Sequence, residues 1–349
     1  MRLATTAVAA SLAVAAFAAS AQQPAGSELF VRPDKGNCIA CHQVPAGAGP
    51  ATRADLGPRL EGSRMRRLGA ERLRALVADP MQSNPDTLMP PYGRHRILET
   101  GEIQRVVDYL RELPEGDSAA SAVPAAASAE AAAAQGAEAP AEVAAVIESG
   151  RKLWTARFKD GRSLATCFPN AGRRVAARYP QYDTRLKRVV TLEMAINQCR
   201  KTHREALYEP DDPDTMGAVV AYLRSLSDGE KVNVRVPQAA QAVYDQGKRL
   251  YFTRLGQLNF ACASCHIHGA GRYYGDALLT TAAGQAARAP FIRGQAAVTL
   301  QARMRECLAL MGAAPFPAGS DELNAIEYFL TYLSNGTLIR ANRPRPPAS

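Results

Sequence analysis

What this chain lacks narrows its function first. After an opening Ala/Val/Leu/Phe run, no segment is apolar enough to cross a membrane, and that run is itself too short to span one. The formal net charge is +9, and arginine dominates the basic set. No basic stretch is interleaved with aromatics, which excludes a nucleic-acid reader and leaves anionic small molecules or acidic protein surfaces as partners. Cysteine is scarce, with seven in 349 residues. The two Cys-x-x-Cys pairs have neither a βαβ pattern nor further metal ligands around them, so thioredoxin-like and zinc sites are both excluded.

Arg2, the apolar run and the small residues Ala19-Ser20-Ala21 read as a secretory signal over residues 1–21, cleaved after Ala21. Export to the periplasm suits the cysteine chemistry, because c-type haem attachment and lasting disulfides belong to oxidising bacterial compartments. The motifs are Cys38-Ile39-Ala40-Cys41-His42 and Cys262-Ala263-Ser264-Cys265-His266. In such a motif two thiols add to the haem vinyl groups while the adjacent histidine reaches the iron. The expectation is two covalently bound haem c groups, attached through Cys38, Cys41, Cys262 and Cys265, with His42 and His266 as proximal ligands.

The motifs fall on either side of an Ala-rich, low-complexity stretch, residues 116–142, which reads as a linker. A flexible chain of that length spans on average about 30 Å. Beyond it the sequence repeats itself. Gly150-Arg-Lys-Leu-Trp-Thr-Ala-Arg before Cys167 resembles Gly247-Lys-Arg-Leu-Tyr-Phe-Thr-Arg before Cys262. Each unit ends in an amphipathic helix: Met216, Val219, Leu223 and Leu226 share their spacing with Leu323, Ile326, Leu330 and Leu333. Ile103, Val106, Leu110 and Leu113 repeat it, and Tyr109, Tyr222 or Phe329 precedes the third apolar position each time. Asp228-Gly229 and Asn335-Gly336 serve as stops.

The expected fold is all-α, with three cytochrome c-like lobes at 25–115, 143–235 and 236–340. The middle lobe is haemless, since neither a second thiol nor a histidine follows Cys167. The repeat sets Cys167 opposite Cys262 and Cys199 opposite Cys307, so the middle lobe is expected to hold a Cys167–Cys199 disulfide.

The sixth iron ligands are assigned by position. In the first lobe Met89 lies about fourteen residues before Ile103, much as Cys199 and Cys307 lie about sixteen or seventeen before Met216 and Leu323. Met89 also precedes Pro90-Pro91, which suits a ligand on an extended loop. Its competitors are Met81, His95 and Met65. A methionine ligand would raise the reduction potential. In the third lobe the position falls on Cys307, with Met304, Met311 and His268 as competitors. A thiolate there would stabilise the ferric form. Arg303 and Arg305 lie four and two residues upstream, where a guanidinium is able to hold an oxyanion near the sulfur. The alternative for both is a solvated helix face.

At these residues the chain resembles the thiosulfate-oxidising Sox cytochromes, with SoxX and SoxA joined in one polypeptide. Gly36-Asn-Cys-Ile-Ala-Cys-His-Gln-Val and Asn84-Pro-Asp-Thr-Leu-Met-Pro resemble SoxX. Ala195-Ile-Asn-Gln-Cys199-Arg, Gly217-Ala-Val-Val-Ala-Tyr, Tyr251-Phe-Thr-Arg-Leu-Gly-Gln-Leu and Arg303-Met-Arg-Glu-Cys307 resemble SoxA of the single-haem type. The resemblance implies an L-cysteine S-thiosulfotransferase that joins thiosulfate oxidatively to a cysteine of the SoxYZ carrier and passes two electrons to a soluble cytochrome c. It also implies catalytic roles for Cys307, as a haem ligand often persulfidated, and for Arg303. Two other readings remain: a thiosulfate dehydrogenase forming tetrathionate, and a dihaem electron carrier without sulfur chemistry.

Overall fold

The computed structural model describes residues 23–116, 141–282 and 284–340; the expected signal and nearly all of the Ala-rich stretch lie outside them. Among the described residues no helix is long and apolar enough to cross a membrane.

Helices dominate, and the same pairing occurs three times. Gly26–Val31 packs on Thr100–Glu112, Ala141–Thr155 on Ala218–Ser225, and Gln241–Phe252 on Asp321–Leu333. Each crossing needs a glycine. A Cβ on Gly26, Gly150 or Gly247 would lie 2.7, 2.7 or 2.5 Å from the carbonyl carbon of Arg105, Ala218 or Ala325, respectively. The residue one turn further along each partner helix is Tyr109, Tyr222 or Phe329, the aromatic that marks the sequence repeat. Backbones therefore meet where only hydrogen fits, and an aromatic closes the edge of the contact.

Two of the three partner helices, Thr100–Glu112 and Asp321–Leu333, start on local caps. Glu99 and Glu102 form a reciprocal capping box, and Ser320 Oγ accepts from Leu323 N at 3.2 Å. Their periodic residues point inward: Ile103, Val106 and Leu110; Met216, Val219 and Leu223; Leu323, Ile326 and Leu330 are all buried. Leu333 is exposed. Gly229 and Gly336, just beyond the last two helices, adopt positive φ of 76° and 83°.

Among the described residues three short antiparallel hairpins depart from the all-α expectation: Gln181–Asp183 with Arg188–Val190, Tyr273–Tyr274 with Ala277–Leu278, and Phe291–Arg293 with Ala296–Val298. Strands of two or three residues are too short to leave a period in the sequence. The first and third each lead into a helix capped by a threonine. Thr191 Oγ1 accepts from Met194 N at 3.3 Å and Thr299 Oγ1 from Ala302 N at 3.2 Å. Cys199 and Cys307 sit at matching places on these helices. Cys199 is joined to Cys167, with Cα atoms 5.9 Å apart.

One apolar cluster joins Tyr328, Ala287 and Ile339 to Trp154, Ile196 and Leu223, while Tyr251, Ile326 and Phe329 belong to another. Residues 29–113 form a separate cluster around Phe30, Leu73, Tyr92 and Val106.

At the joint inside the larger core lie Glu193, Arg224 and Glu327, all buried. Burial lowers Arg224 to about 10, against the pull of both carboxylates. Burial, with Glu193 adding, raises Glu327 well above the ordinary carboxylate range. Burial raises Glu193 as well, so both carboxyls resist ionisation, most of all that of Glu327. Gln301 Nε2 donates to its Oε2 at 2.8 Å and to Asn324 Oδ1 at 2.9 Å. Removing the cation with Arg224→Met is expected to cost about 3–5 kcal/mol in chemical denaturation, because two carboxyl groups remain buried. Stability from protonated Glu327 is complete at acid pH and falls as pH rises through its raised folded value. Glu327→Gln should remove that alkaline loss.

Candidate haem and sulfur site

Both motif histidines are held in the same way. His42 Nδ1 donates to the Pro58 carbonyl at 2.7 Å, and His266 Nδ1 donates to the Thr280 carbonyl at 2.7 Å. A carbonyl only accepts, so Nδ1 carries the proton and Nε2 is left unprotonated, the state that a metal ligand needs. Burial lowers both imidazoles, which keeps them neutral as iron ligation needs. Gly57 lies against the His42 ring so closely that a Cβ would come 2.5 Å from Nδ1.

The motif thiols are also desolvated. Burial pushes Cys38 and Cys41 up to about 12, Cys262 up to about 12 and Cys265 up to about 11. Near the second motif the buried Tyr251 hydroxyl finds no hydrogen-bond partner among the described residues, which leaves it for a group the chain does not supply. These features fit haem c: paired thiols, an oriented neutral histidine and an unanswered polar atom.

Met89 packs against the same apolar cluster as Cys38. Three residues on, Tyr92 is buried within reach of both Cys38 and Cys41. Met89 N donates to Thr87 Oγ1 at 3.1 Å. Of its competitors, Met81 is engaged elsewhere, its Sδ accepting from Asn259 Nδ2 at 3.0 Å, and the Nδ1 of His95 donates to the Gln257 carbonyl at 2.7 Å.

Cys307 lies on helix Leu300–Leu310, half-buried, where its sulfur adds to the upward shift of both Cys262 and Cys265. Arg303, one helical turn earlier, is near enough for its charge to act on both Cys307 and His266. Burial works against the Arg303 cation, but Cys307 and Glu306 outweigh it and raise its value. Arg305 points to a different neighbour and ion-pairs with Asp211. The structure thus gathers Cys262, Cys265, His266, Arg303 and Cys307, and separates Arg305 from them.

Sequence reasoning missed three participants. Glu306 accepts from Arg303 Nη1 at 2.6 Å and from Arg293 Nη2 at 3.2 Å, so two guanidiniums share one carboxylate beside Cys307. Arg293 arrives on a hairpin and left no local signal. Tyr274 stands between the motifs: burial raises it to about 12, with Cys41 and Cys265 both contributing. Its hydroxyl accepts from Asn37 Nδ2 at 3.3 Å. The same hairpin grips the first motif, since Gly275 N donates to the Ala40 carbonyl at 2.8 Å and Tyr273 N to Asp55 Oδ1 at 2.7 Å.

Comparisons with known proteins bear on the family of the chain. The family described as "SoxA/TsdA, cytochrome c domain" matches residues 149–232, and that described as "Cytochrome C oxidase, cbb3-type, subunit III" matches residues 21–110. The L-cysteine S-thiosulfotransferase subunit SoxA of Chlorobaculum tepidum is 40% identical over 193 residues, covering 54% of this chain and 67% of that protein. The SoxA subunit of Allochromatium vinosum is 38% identical over 196 residues, covering 54% and 69%. The crystal structure of SoxXA from P. pantotrophus superposes with a TM-score of 0.54 at 25% identity, covering 59% of this chain and 79% of that one. Two cytochrome c domains, one disulfide and these likenesses lead to one conclusion: the chain belongs to the SoxA family of cytochromes.

Proposed function

We propose that the protein is an exported L-cysteine S-thiosulfotransferase in which a SoxX-like domain and a SoxA-like domain act as one chain. Three cytochrome c-like lobes, at 25–115, 143–235 and 236–340, carry two haem c groups and one disulfide. Residues 1–21 direct export to the periplasm, and 116–142 join the domains. The threefold glycine crossing and the matching threonine-capped helices of Cys199 and Cys307 support the three-lobe reading.

The convergence of Arg303, Cys307 and the second motif carries the functional reading. Bound haem c supplies one-electron acceptance at each motif. Cys38, Cys41, Cys262 and Cys265 attach it; His42 with Met89 and His266 with Cys307 hold the irons. Arg303 binds and orients the thiosulfate anion beside the Cys307 sulfur, exchanging its bond to Glu306 for one to the substrate. A SoxYZ cysteine thiol then enters. The new bond joins its sulfur to the outer sulfur of thiosulfate, the thiol proton leaves to solvent and two electrons are released. Tyr274 lines the short route between the motifs, and a soluble cytochrome c takes the electrons away.

Electron paramagnetic resonance of the ferric protein tests the assignment of Cys307. The native chain should give the signature of a thiolate-ligated low-spin haem, and Cys307→Ala should remove it together with carrier-dependent turnover. An unchanged spectrum would sink the ligand assignment, and tetrathionate formed without any carrier would sink the transfer reaction.

A further inference from the structure

The two sulfurs of the Cys167–Cys199 bridge are unequal. Cys167 is exposed on the short turn Leu164–Cys167, whereas Cys199 is buried on helix Leu192–Thr202. One helical turn beyond Cys199, His203 brings a ring nitrogen to the bridge; that nitrogen and the two sulfurs lie within 4.8 Å of one another. The His203 side chain is only 7% exposed and stacks on Phe158 with ring centroids 5.0 Å apart. Its Nδ1 bonds to Asp160 Oδ2 at 2.6 Å. Asp160 is fixed in turn, since its Oδ1 accepts from Arg162 N at 3.0 Å.

A cross-link that serves only as a staple needs none of this. Cleaving it requires an accessible sulfur to attack and a stabilised leaving sulfur. Cys167 provides the first. Cys199 is a poor thiolate by itself, because it is buried and lies in the last turn of its helix, where the backbone dipole disfavours negative charge. A proton donor beside it answers that deficit. An imidazole oriented by a carboxylate is the usual way to place one.

We propose that Cys167–Cys199, with His203 as catalytic acid and Asp160 as its positioning residue, is a thiol–disulfide exchange site that takes an external thiolate. The thiolate attacks Cys167 Sγ, the bridge breaks, and the bonding pair leaves on Cys199 Sγ, which takes a proton from His203. A second thiolate attacks the external sulfur of the mixed disulfide, and Cys167 departs and is protonated. Two thiols become one disulfide, and the bridge becomes a dithiol. The reaction involves neither haem motif and is independent of thiosulfate transfer.

The test uses the full haem-loaded chain with glutathione or a cysteine-bearing peptide, quenched by alkylation and mapped by mass spectrometry, with circular dichroism reporting the fold. The adduct should fall on Cys167 and the alkyl group on Cys199, in folded protein. His203→Gln should slow adduct formation at least about tenfold and flatten its pH profile. Asp160→Asn should slow it less and displace the profile. Faster reaction with glutathione assigns a small-molecule thiol as partner; faster reaction with the peptide assigns a protein cysteine. An adduct on Cys199, no adduct without unfolding, or an unaltered rate and profile in Asp160→Asn would each overturn the proposal. The Asp160 variant decides the matter even where His203→Gln disturbs the fold.

Discussion

Arg303→Ala should lower carrier-dependent thiosulfate conjugation by about 10²–10³-fold, the usual effect of deleting one preorganised charge at a reacting centre. Absorption spectra of the ferric and ferrous protein should stay as in the native chain, because Arg303 touches the sulfur's surroundings and supplies no iron ligand. Arg303 sits four residues before Cys307 on one helix, so both side chains share a face. Its charge is already balanced by Glu306 at 2.6 Å, a partner that an incoming dianion is able to replace. Arg305→Ala is the matched control. Its loss breaks the ion pair with Asp211, a half-exposed contact worth less than about 1 kcal/mol, and should leave turnover near native. Initial rates with thiosulfate and carrier decide between them, and equal rates for the two variants would end the anion-binding role of Arg303.

Gly57→Ala should displace the His42 ring of the first motif. The added methyl would come 2.5 Å from His42 Nδ1 and 2.7 Å from Nε2, so the ring must turn or withdraw. It has little freedom to do so. Its Nδ1 is tied to Pro58, and Gly57 N itself donates to the Cys41 carbonyl at 2.8 Å. The expected result is loss of the low-spin, six-coordinate spectrum at the first motif and less haem attached per chain, read by absorption and a haemochrome assay. Gly101→Ala offers the contrast. Its nearest neighbour would be an Arg105 side-chain nitrogen at 3.6 Å, in a helix, so that variant should gain up to about 1 kcal/mol. A native spectrum in Gly57→Ala would show that His42 is not held from this side.

The parts of this molecule that were legible in the sequence are those written locally or written more than once. Each Cys-x-x-Cys-His motif is complete within five residues, and the terminal helices declare themselves through periodic apolar positions. The Cys167–Cys199 link was legible only through repetition. Arg293 and Tyr274 were hidden because hairpins with strands of two or three residues deliver them, and no period survives at that length. Glu306 stood in plain view beside Cys307, but its role depends on Arg293, which the chain brings to it from that hairpin. The parting of Arg303 from Arg305 was readable in principle, since residues two apart on a helix face away from each other. The buried Glu327 gave a fainter hint: it lies among Ile326, Tyr328 and Phe329, on a helix apolar nearly all round. Charge in such a place means a partner contributed from afar, and only the tertiary structure names Arg224.

The seam between the two domains is mostly polar: His95 on Gln257, Arg254 on Thr87, Asn259 on Met81, Asn37 on Tyr274, Arg53 on Asp276, Tyr273 on Asp55 and Gly275 on Ala40. Between free-standing proteins such contacts would have to be re-formed by collision, at a rate set by concentration. Tethering in a single chain supplies a local concentration on the order of millimolar, so these contacts persist however little protein is present. Polar pairs also dock without requiring a large apolar patch on either half before the two meet.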